Sequence, residues 1–152
     1  MRVCLGGTFD PLHKGHKKLI EKAFELGDEV VIGLSSNEFV NKTKKCCRKY
    51  NLRKRSLERF LLNFRPKKFK IVKIDDRYGT AVTENFDAIV VSPETLPIAK
   101  QINKLRRSSG KKTLKIIKIP FVLAEDSLPI TSTRIKSGII DEDGRVLARK
   151  NI

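Results

Sequence analysis

Several features of exported and metal-binding proteins are missing from this chain. It has no run of eighteen apolar residues and no basic stretch followed by an apolar leader and a cleavage site. The sequence therefore predicts neither membrane insertion nor secretion, and we expect a cytoplasmic protein. Cysteine is scarce: Cys4 lies in an apolar run, and Cys46 and Cys47 are adjacent. This spacing lacks the pairs and histidine partners of a zinc site, so we expect reduced thiols.

Acidic residues are few beside basic ones, with 17 Asp and Glu against 33 Lys and Arg and a formal net charge of +16. Such positive charge attracts polyphosphates, including nucleic acids. The basic residues fall in separate loops and helix ends, however, and few aromatic residues are interleaved with them as stacking groups. We therefore expect a solvated basic surface with one loop recruited for substrate phosphates, and we do not expect a nucleic-acid partner. The clusters lie at 42–49, 53–55, 65–70, 106–107 and 111–112.

The length and the alternation of apolar runs predict one α/β domain. A chain of 152 residues has the usual size of a single domain with its own core, so we expect residues 1–152 to form one domain. Short runs rich in β-branched residues alternate with helical patterns, which indicates a doubly wound parallel five-stranded sheet of Rossmann-like type. The predicted strands are 3–5, 30–34, 71–74, 88–91 and 114–119, and the predicted helices are 15–26, 37–42, 52–64 and 97–109.

The most informative segment joins the first predicted strand to the first predicted helix. Gly6 and Gly7 end the apolar run, and glycine lets the backbone turn sharply and approach a ligand. His13 and His16 are three residues apart, so they share one helix face if the helix has begun by residue 12. Unpaired N–H groups and the helix dipole attract anions there, and Gly15 keeps the surface between the histidines bare. The segment predicts a site for a nucleoside triphosphate.

A second anion site is predicted near the far end of the chain. Thr131, Ser132 and Thr133 precede Arg134 and Lys136 in a short stretch with helical potential. Hydroxyl groups before a short basic helix supply an N-cap, N–H donors and a cation, which together favour anion binding. An ordinary capped surface helix explains the same stretch, and the residues alone leave both explanations open.

The two segments resemble the signatures of the nucleotidyltransferase superfamily, T/HxGH at 13–16 and ISSTxIR at 130–136, with Thr131 in place of the first serine. Blocks at 37–40, 50–53, 75–81, 91–95 and 123–126 resemble those of the archaeal-type phosphopantetheine adenylyltransferases, which are similar to the adenylyltransferase domain of eukaryotic CoA synthase. The resemblance covers nearly the whole chain. Lys49 and Thr80 stand where the family pattern leads us to expect proline. These two differences affect the stiffness of the loops and remove no chemical group.

The resemblance implies transfer of the adenylyl group of ATP to 4′-phosphopantetheine, giving dephospho-CoA and pyrophosphate by in-line attack without a covalent intermediate. It implies His16 at the α-phosphate and His13 at the β- and γ-phosphates. Thr8, with Lys42 or Lys44, is expected at the acceptor phosphate, and the sequence does not choose between the lysines. Mg²⁺ is expected to bridge the triphosphate through waters, without a direct side-chain ligand. The expected partners are ATP, phosphopantetheine and dephospho-CoA or CoA, in a monomer or small homo-oligomer.

The remaining candidate residues follow predicted strands or lie in the resembling blocks. The expected nucleotide-binding residues are Gly7, Phe9, Gly15, Ser92, Glu94, Thr95, Ser132, Thr133 and Arg134. The expected acceptor-binding residues are Thr8, Lys42, Lys44, Arg53, Asp76 and Tyr78. Asp10 is a carboxylate beside predicted phosphates, so it either orders its loop or touches hydrated Mg²⁺, and we favour the first.

Two other functions remain open at this stage. A sister nucleotidyltransferase with another acceptor, such as glycerol phosphate with CTP or nicotinamide mononucleotide with ATP, shares both signature segments. Acceptor dependence distinguishes these enzymes. A basic nucleic-acid-binding module that kept the fold and lost the reaction is the third hypothesis, and binding with a steep salt dependence would favour it. The intact His13 and His16 weigh against it.

Overall fold

A five-stranded, all-parallel sheet is the centre of the computed structural model, which describes residues 1–43 and 47–147. The strand order is β3-β2-β1-β4-β5, so the order reverses beside β1, where ligands of such sheets bind. The predicted α/β fold class is confirmed. The strands are β1 (Arg2–Gly7), β2 (Glu29–Ser35), β3 (Lys68–Ile74), β4 (Ala88–Val91) and β5 (Lys115–Lys118).

In the described part of the chain, five helices connect or follow the strands: α1 (Lys14–Leu26), α2 (Asn37–Thr43), α3 (Tyr50–Leu61, continued by a 3-10 turn over Leu62–Phe64), α4 (Leu96–Ser108) and α5 (Ser132–Lys136). The first helix agrees with the predicted range 15–26 to within one residue, but the condition set for the two histidines is not met: the helix has not begun by residue 12, because His13 has extended backbone angles and is the N-cap of α1. Within the two described ranges, no helix is long and apolar enough to cross a membrane.

The alternation of side chains along the strands divides the core between the two faces of the sheet. One face packs on α1 and α3, and the other packs on α4 and the loop after β3. A third small cluster lies beside α5. The first face presents Val3, Leu5, Val30, Ile32 and Leu34. The second presents Cys4, Val31, Ile89 and Val91 with Ala99 and Ile102 of α4. The third cluster is Ala124, Ile130 and Ile140.

Two arginines of the predicted basic surface are buried instead. Arg53 and Arg106 are 0% and 2% exposed, and their guanidinium groups donate to loop acceptors that would otherwise be unsatisfied in the interior. A planar guanidinium with five N–H groups suits this task because it reaches several carbonyls from one position. Arg53 donates to the carbonyls of Arg48, Thr8 and Ser35 and to Asn37 Oδ1. Arg106 donates to the carbonyls of Lys112, Ala81, Val82 and Glu84.

We expect Arg106→Met to lower the free energy of unfolding by about 3 kcal/mol, because the carbonyls that Arg106 satisfies are left without a donor. Arg107→Met is the matched control, since Arg107 is the exposed neighbour on the same helix. Its effect should stay within about 0.5 kcal/mol. Urea denaturation of both variants measures the difference, and equal losses would contradict the role assigned to Arg106.

Candidate active site

A cleft of about 660 Å³ opens at the carboxyl ends of the central strands. It brings together the first signature segment, the loops after β2, β3 and β4, and the second signature segment, which is the gathering expected of a parallel sheet. Eleven predicted site residues line it: Gly7, Thr8, His13, Gly15, His16, Tyr78, Ser92, Glu94, Thr95, Ser132 and Thr133.

The two histidines cap the first turn of α1 reciprocally. Nδ1 of His13 accepts from the backbone N–H groups of Gly15 at 3.0 Å and His16 at 3.3 Å. Nδ1 of His16 accepts from the backbone N–H of His13 at 3.2 Å. This is the geometry of a capping box, with imidazoles in place of the usual hydroxyl and carboxylate. Because each Nδ1 is an acceptor, each neutral ring carries its proton on Nε2.

The His13 ring is held as a neutral group. Burial lowers the pKa of His13 to about 4, so near pH 7 the ring offers a hydrogen bond and no positive charge. It stacks on the His16 ring with 3.6 Å between centroids. The imidazole of His16 meets the Phe9 ring edge to face at 4.9 Å. Stacking, capping and packing together fix both rings before a ligand arrives.

Phe9 does not line the cleft, although the sequence analysis placed it among the nucleotide-binding residues. It is 1% exposed and belongs to the core on the α1 side of the sheet. Its backbone φ of 50° turns the chain after β1 so that the ring packs against His16. The structure thus gives Phe9 a supporting position next to the histidine.

Asp10 ties the first signature segment to two distant parts of the chain. Its carboxylate accepts from the backbone N–H of Arg48 at 3.0 Å and from Arg48 Nε at 2.6 Å, and it pairs with Lys136 Nζ at 3.0 Å. Burial disfavours the charged carboxylate, but the hydrogen bonds from Arg48 and Lys136 outweigh it and hold the pKa of Asp10 at about 2. These contacts agree with the expectation that Asp10 orders its loop.

Two predicted site arginines point to protein acceptors outside the cleft. Arg53 is buried behind the loop after β1, where its donors are used by the carbonyls described above. Arg134 pairs with Asp126 and donates to the carbonyl of Pro129 at 2.8 Å. Neither side chain lines the cleft. The N–H donors of each guanidinium group are used by nearby oxygen acceptors of the protein.

Two other predicted residues also lie outside the cleft. Asp76 caps the loop after β3, accepting from the N–H groups of Tyr78 at 2.9 Å and Gly79 at 2.8 Å. Lys42 is exposed in the last turn of α2 and does not line the cleft. Lys44 lies outside the described residues.

The sequence motifs did not indicate a cation and most of an apolar wall that line the cleft. Arg77 is the one Lys or Arg that lines the cleft within residues 1–43 and 47–147. The sequence signal that could have indicated Arg77 is its position directly after the two aspartates that follow β3. Ile98, Ile102 and Phe121 also line the cleft. The spacing of the two isoleucines on α4 is equally typical of a core helix, so the pattern alone could not assign them to a site.

The described residues provide no ready set of side-chain ligands for a resident metal ion. In the described part of the chain, no group of three or more His, Cys, Asp or Glu side chains is placed to hold one. The carboxylate of Asp10 is engaged by Arg48 and Lys136.

Comparison with known proteins identifies the family of this chain. Residues 4–138 match the family described as cytidylyltransferase-like. The chain belongs to that family. The phosphopantetheine adenylyltransferase of Methanosarcina barkeri is 44% identical over 155 residues, covering 99% of this chain and 94% of the relative. The resemblance drawn from the motifs is thereby confirmed.

Two further similarities extend the comparison. The bifunctional phosphopantetheine adenylyltransferase/NTP phosphatase of Thermoplasma acidophilum is 49% identical over 147 residues, which are 95% of this chain and 44% of that protein. This chain thus spans less than half of the bifunctional relative. A crystal structure from Archaeoglobus fulgidus, of a protein with unknown function, superposes with a TM-score of 0.73 at 38% identity, covering 78% of this chain and 89% of the other.

We expect Asp10→Asn to remove a pH-dependent part of the stability. The folded pKa of about 2 lies below the ordinary value of 3.8, so the Asp10 contacts stabilise the fold above pH 4 and lose that effect as the pH falls toward 2. The variant should lose about 2 kcal/mol of unfolding free energy at pH 7 and show a weaker decline in stability between pH 4 and 2.

The matched control for this experiment is Asp75→Asn, which changes an exposed carboxylate in the loop after β3. Unfolding free energies from urea titrations at several pH values measure both variants. Parallel pH profiles for wild type and Asp10→Asn would contradict the account of Asp10.

Proposed function

We propose that this chain transfers the adenylyl group of ATP to the phosphate of 4′-phosphopantetheine, giving dephospho-CoA and pyrophosphate. The observation that carries the proposal is that the two segments predicted to bind anions, around His13 and Ser132, meet in one cleft that also has apolar lining residues. A triphosphate together with a phosphate monoester that has a long, partly apolar arm requires such a cleft. Relatives over 90% or more of this chain bear the name of that activity.

The chemistry needs no general base. The acceptor phosphate is already an anion, and one of its oxygens attacks the α-phosphorus of ATP in line with the leaving group. A new P–O bond forms there, the bond from the α-phosphorus to the α,β-bridging oxygen breaks, and pyrophosphate leaves with that electron pair. The protein must hold two anions together and stabilise the charge on the transferred group.

The histidines supply fixed donors for that task. Nε2–H of His16 is assigned to the α-phosphate and Nε2–H of His13 to the β- and γ-phosphates. Because Nδ1 of each ring is used in the cap of α1, the rings cannot turn to present the other nitrogen without breaking that cap. Preorganised donors stabilise a transition state without reorganisation at the moment of reaction.

The remaining roles divide between the two substrates. Thr8 is assigned to the acceptor phosphate, with its hydroxyl and backbone N–H as donors, and Ser132 and Thr133 to the triphosphate. Mg²⁺ supplied with ATP would neutralise phosphate charge. Lys42 or Lys44 is the proposed cation at the acceptor phosphate, and Arg77, which lines the cleft, is added as a further cation for the substrate phosphates.

The deciding assay incubates purified protein with ATP and Mg²⁺, with and without 4′-phosphopantetheine. We expect pyrophosphate release only with phosphopantetheine, and dephospho-CoA in the mass spectrum. Release that depends instead on glycerol phosphate with CTP, or on nicotinamide mononucleotide, would contradict the assigned acceptor. No release with any of these pairs would contradict adenylyl transfer itself.

Replacement of His16 separates its two roles. His16→Glu keeps a side-chain acceptor for the His13 backbone N–H, because glutamate is the usual partner at this position of a capping box. It also places a negative charge where a phosphate donor is needed. We expect a melting temperature near that of wild type and a kcat lower by roughly 10³-fold.

Lys18→Ala serves as the control, since Lys18 is exposed on the same helix and pairs with Glu21 across the surface. Its kcat should equal that of wild type. Turnover by His16→Glu within tenfold of wild type would refute the role given to the imidazole.

A further inference from the structure

The longest stretch of the chain without an acidic residue includes α4, the turn after it and β5. Residues 95–124 contain no Asp or Glu, although the whole chain has 17. Arg106 is buried in this stretch, and its other basic side chains are all exposed. They are Lys100, Lys104, Arg107, Lys111, Lys112, Lys115 and Lys118. The stretch therefore carries concentrated positive charge without compensating negative charge of its own.

Three of these cations form one stripe along the outward side of α4. Lys100, Lys104 and Arg107 are four and three residues apart, so they are neighbours on the helix surface and span about 10 Å along it. The opposite side of the helix packs on the sheet through Ala99 and Ile102. We call these three cations the α4 basic stripe. The basic clusters visible in the sequence do not contain its first two members, which only the helix brings into line.

The other long helices balance surface cations with acids on the same helix. In α1, Lys18 pairs with Glu21 at 3.5 Å, and in α3 Lys54 lies 4.0 Å from Glu58. Among the described residues, no ion pair involves a cation of α4. Like charges three and four residues apart destabilise a helix. A lysine-rich surface that is merely solvated does not require this repulsion, because α1 and α3 avoid it.

The carboxylates closest in the chain and in the fold to α4 are directed elsewhere. Near the C-terminal end of α4, Glu84 pairs with Arg2 at 3.3 Å, and Asp87 accepts from the backbone N–H of Arg2 at 2.6 Å. Glu94, which precedes α4, lines the cleft. The positive charge of the α4 basic stripe thus remains available to an anion from outside the protein.

The composition of this surface suits a nucleic acid and not a protein partner. The core of a protein–protein interface is depleted of charged residues, lysine above all, whereas nucleic-acid interfaces are strongly positive. Residues 96–118 contain no Phe, Tyr or Trp. Because the surface has no aromatic ring on which an unpaired base could stack, it is suited to the phosphates of a duplex.

We propose that the α4 basic stripe, with Lys111 and Lys112 in the turn after it, binds the phosphate backbone of a double-stranded nucleic acid without reading its sequence. The duplex lies on the outward side of α4, whereas the inward side lines the cleft through Ile98 and Ile102. Adenylyl transfer and duplex binding are therefore independent. This partner was not expected from the sequence, in which the basic clusters are separate and few aromatic residues accompany them.

Fluorescence anisotropy with labelled duplexes of about 20 base pairs, one of DNA and one of RNA, measures the binding. We expect a Kd of roughly 10⁻⁶ to 10⁻⁴ M near physiological salt. The variant that combines Lys100→Gln, Lys104→Gln and Arg107→Gln should raise Kd roughly tenfold or more, and the slope of log Kd against log salt should fall by about three. Comparison of the two duplexes shows which nucleic acid is preferred.

The matched control combines Lys18→Gln, Lys22→Gln and Lys54→Gln, which removes the same three charges from α1 and α3. Its Kd should stay within about threefold of wild type, because these lysines are paired with acids. Both variants should keep the wild-type rate of pyrophosphate release, since none of the six residues lines the cleft. Their melting temperatures verify that they are folded.

Equal weakening of duplex binding by the two triple variants would overturn the proposal, since binding would then follow net charge alone. An absence of binding to either duplex at low salt would also overturn it. Tighter binding of a single strand, or of vesicles of anionic phospholipid, than of either duplex would contradict the ligand class. A wild-type protein inactive with phosphopantetheine would overturn the proposed function and leave this inference intact.

Discussion

The reciprocal hydrogen bonds between His13 and His16 at the start of α1 determine how the rest of the site is arranged. They complete the helix cap, and in doing so they use Nδ1 of both rings and leave Nε2–H as the donor of each neutral imidazole. Burial keeps His13 neutral, and the Phe9 ring supports His16 from the core. A structural requirement of the helix thus fixes the orientation and protonation that phosphate recognition needs.

Buried charged groups hold the segments around this pair. Asp10 joins the loop after β1 to Arg48 and to Lys136 of α5, so the two signature segments share one carboxylate. Arg53 ties the same loop to the end of β2, and Arg106 holds the loop before β4. Each group is satisfied by several partners, which is the condition under which burying a charge is tolerated. The cleft is shaped by these fixed loops.

The sheet and the histidine segment could be predicted because their signals are local. Runs of β-branched residues indicated the strands, and the glycines and histidines after the first strand indicated an anion site. Arg53 and Arg134 were assigned to ligands because a sequence shows a charge and not the carbonyls that surround it in the fold. The link between Asp10 and Lys136 joins opposite ends of the chain.

The chain contains only two histidines, so nitrogen NMR of protein labelled with ¹⁵N-histidine tests the central claim directly. The account predicts that each ring in its neutral form carries the proton on Nε2, and that His13 stays neutral until the pH falls to about 4. A proton on Nδ1 of either neutral ring, or titration of His13 near its ordinary value of 6.5, would contradict it.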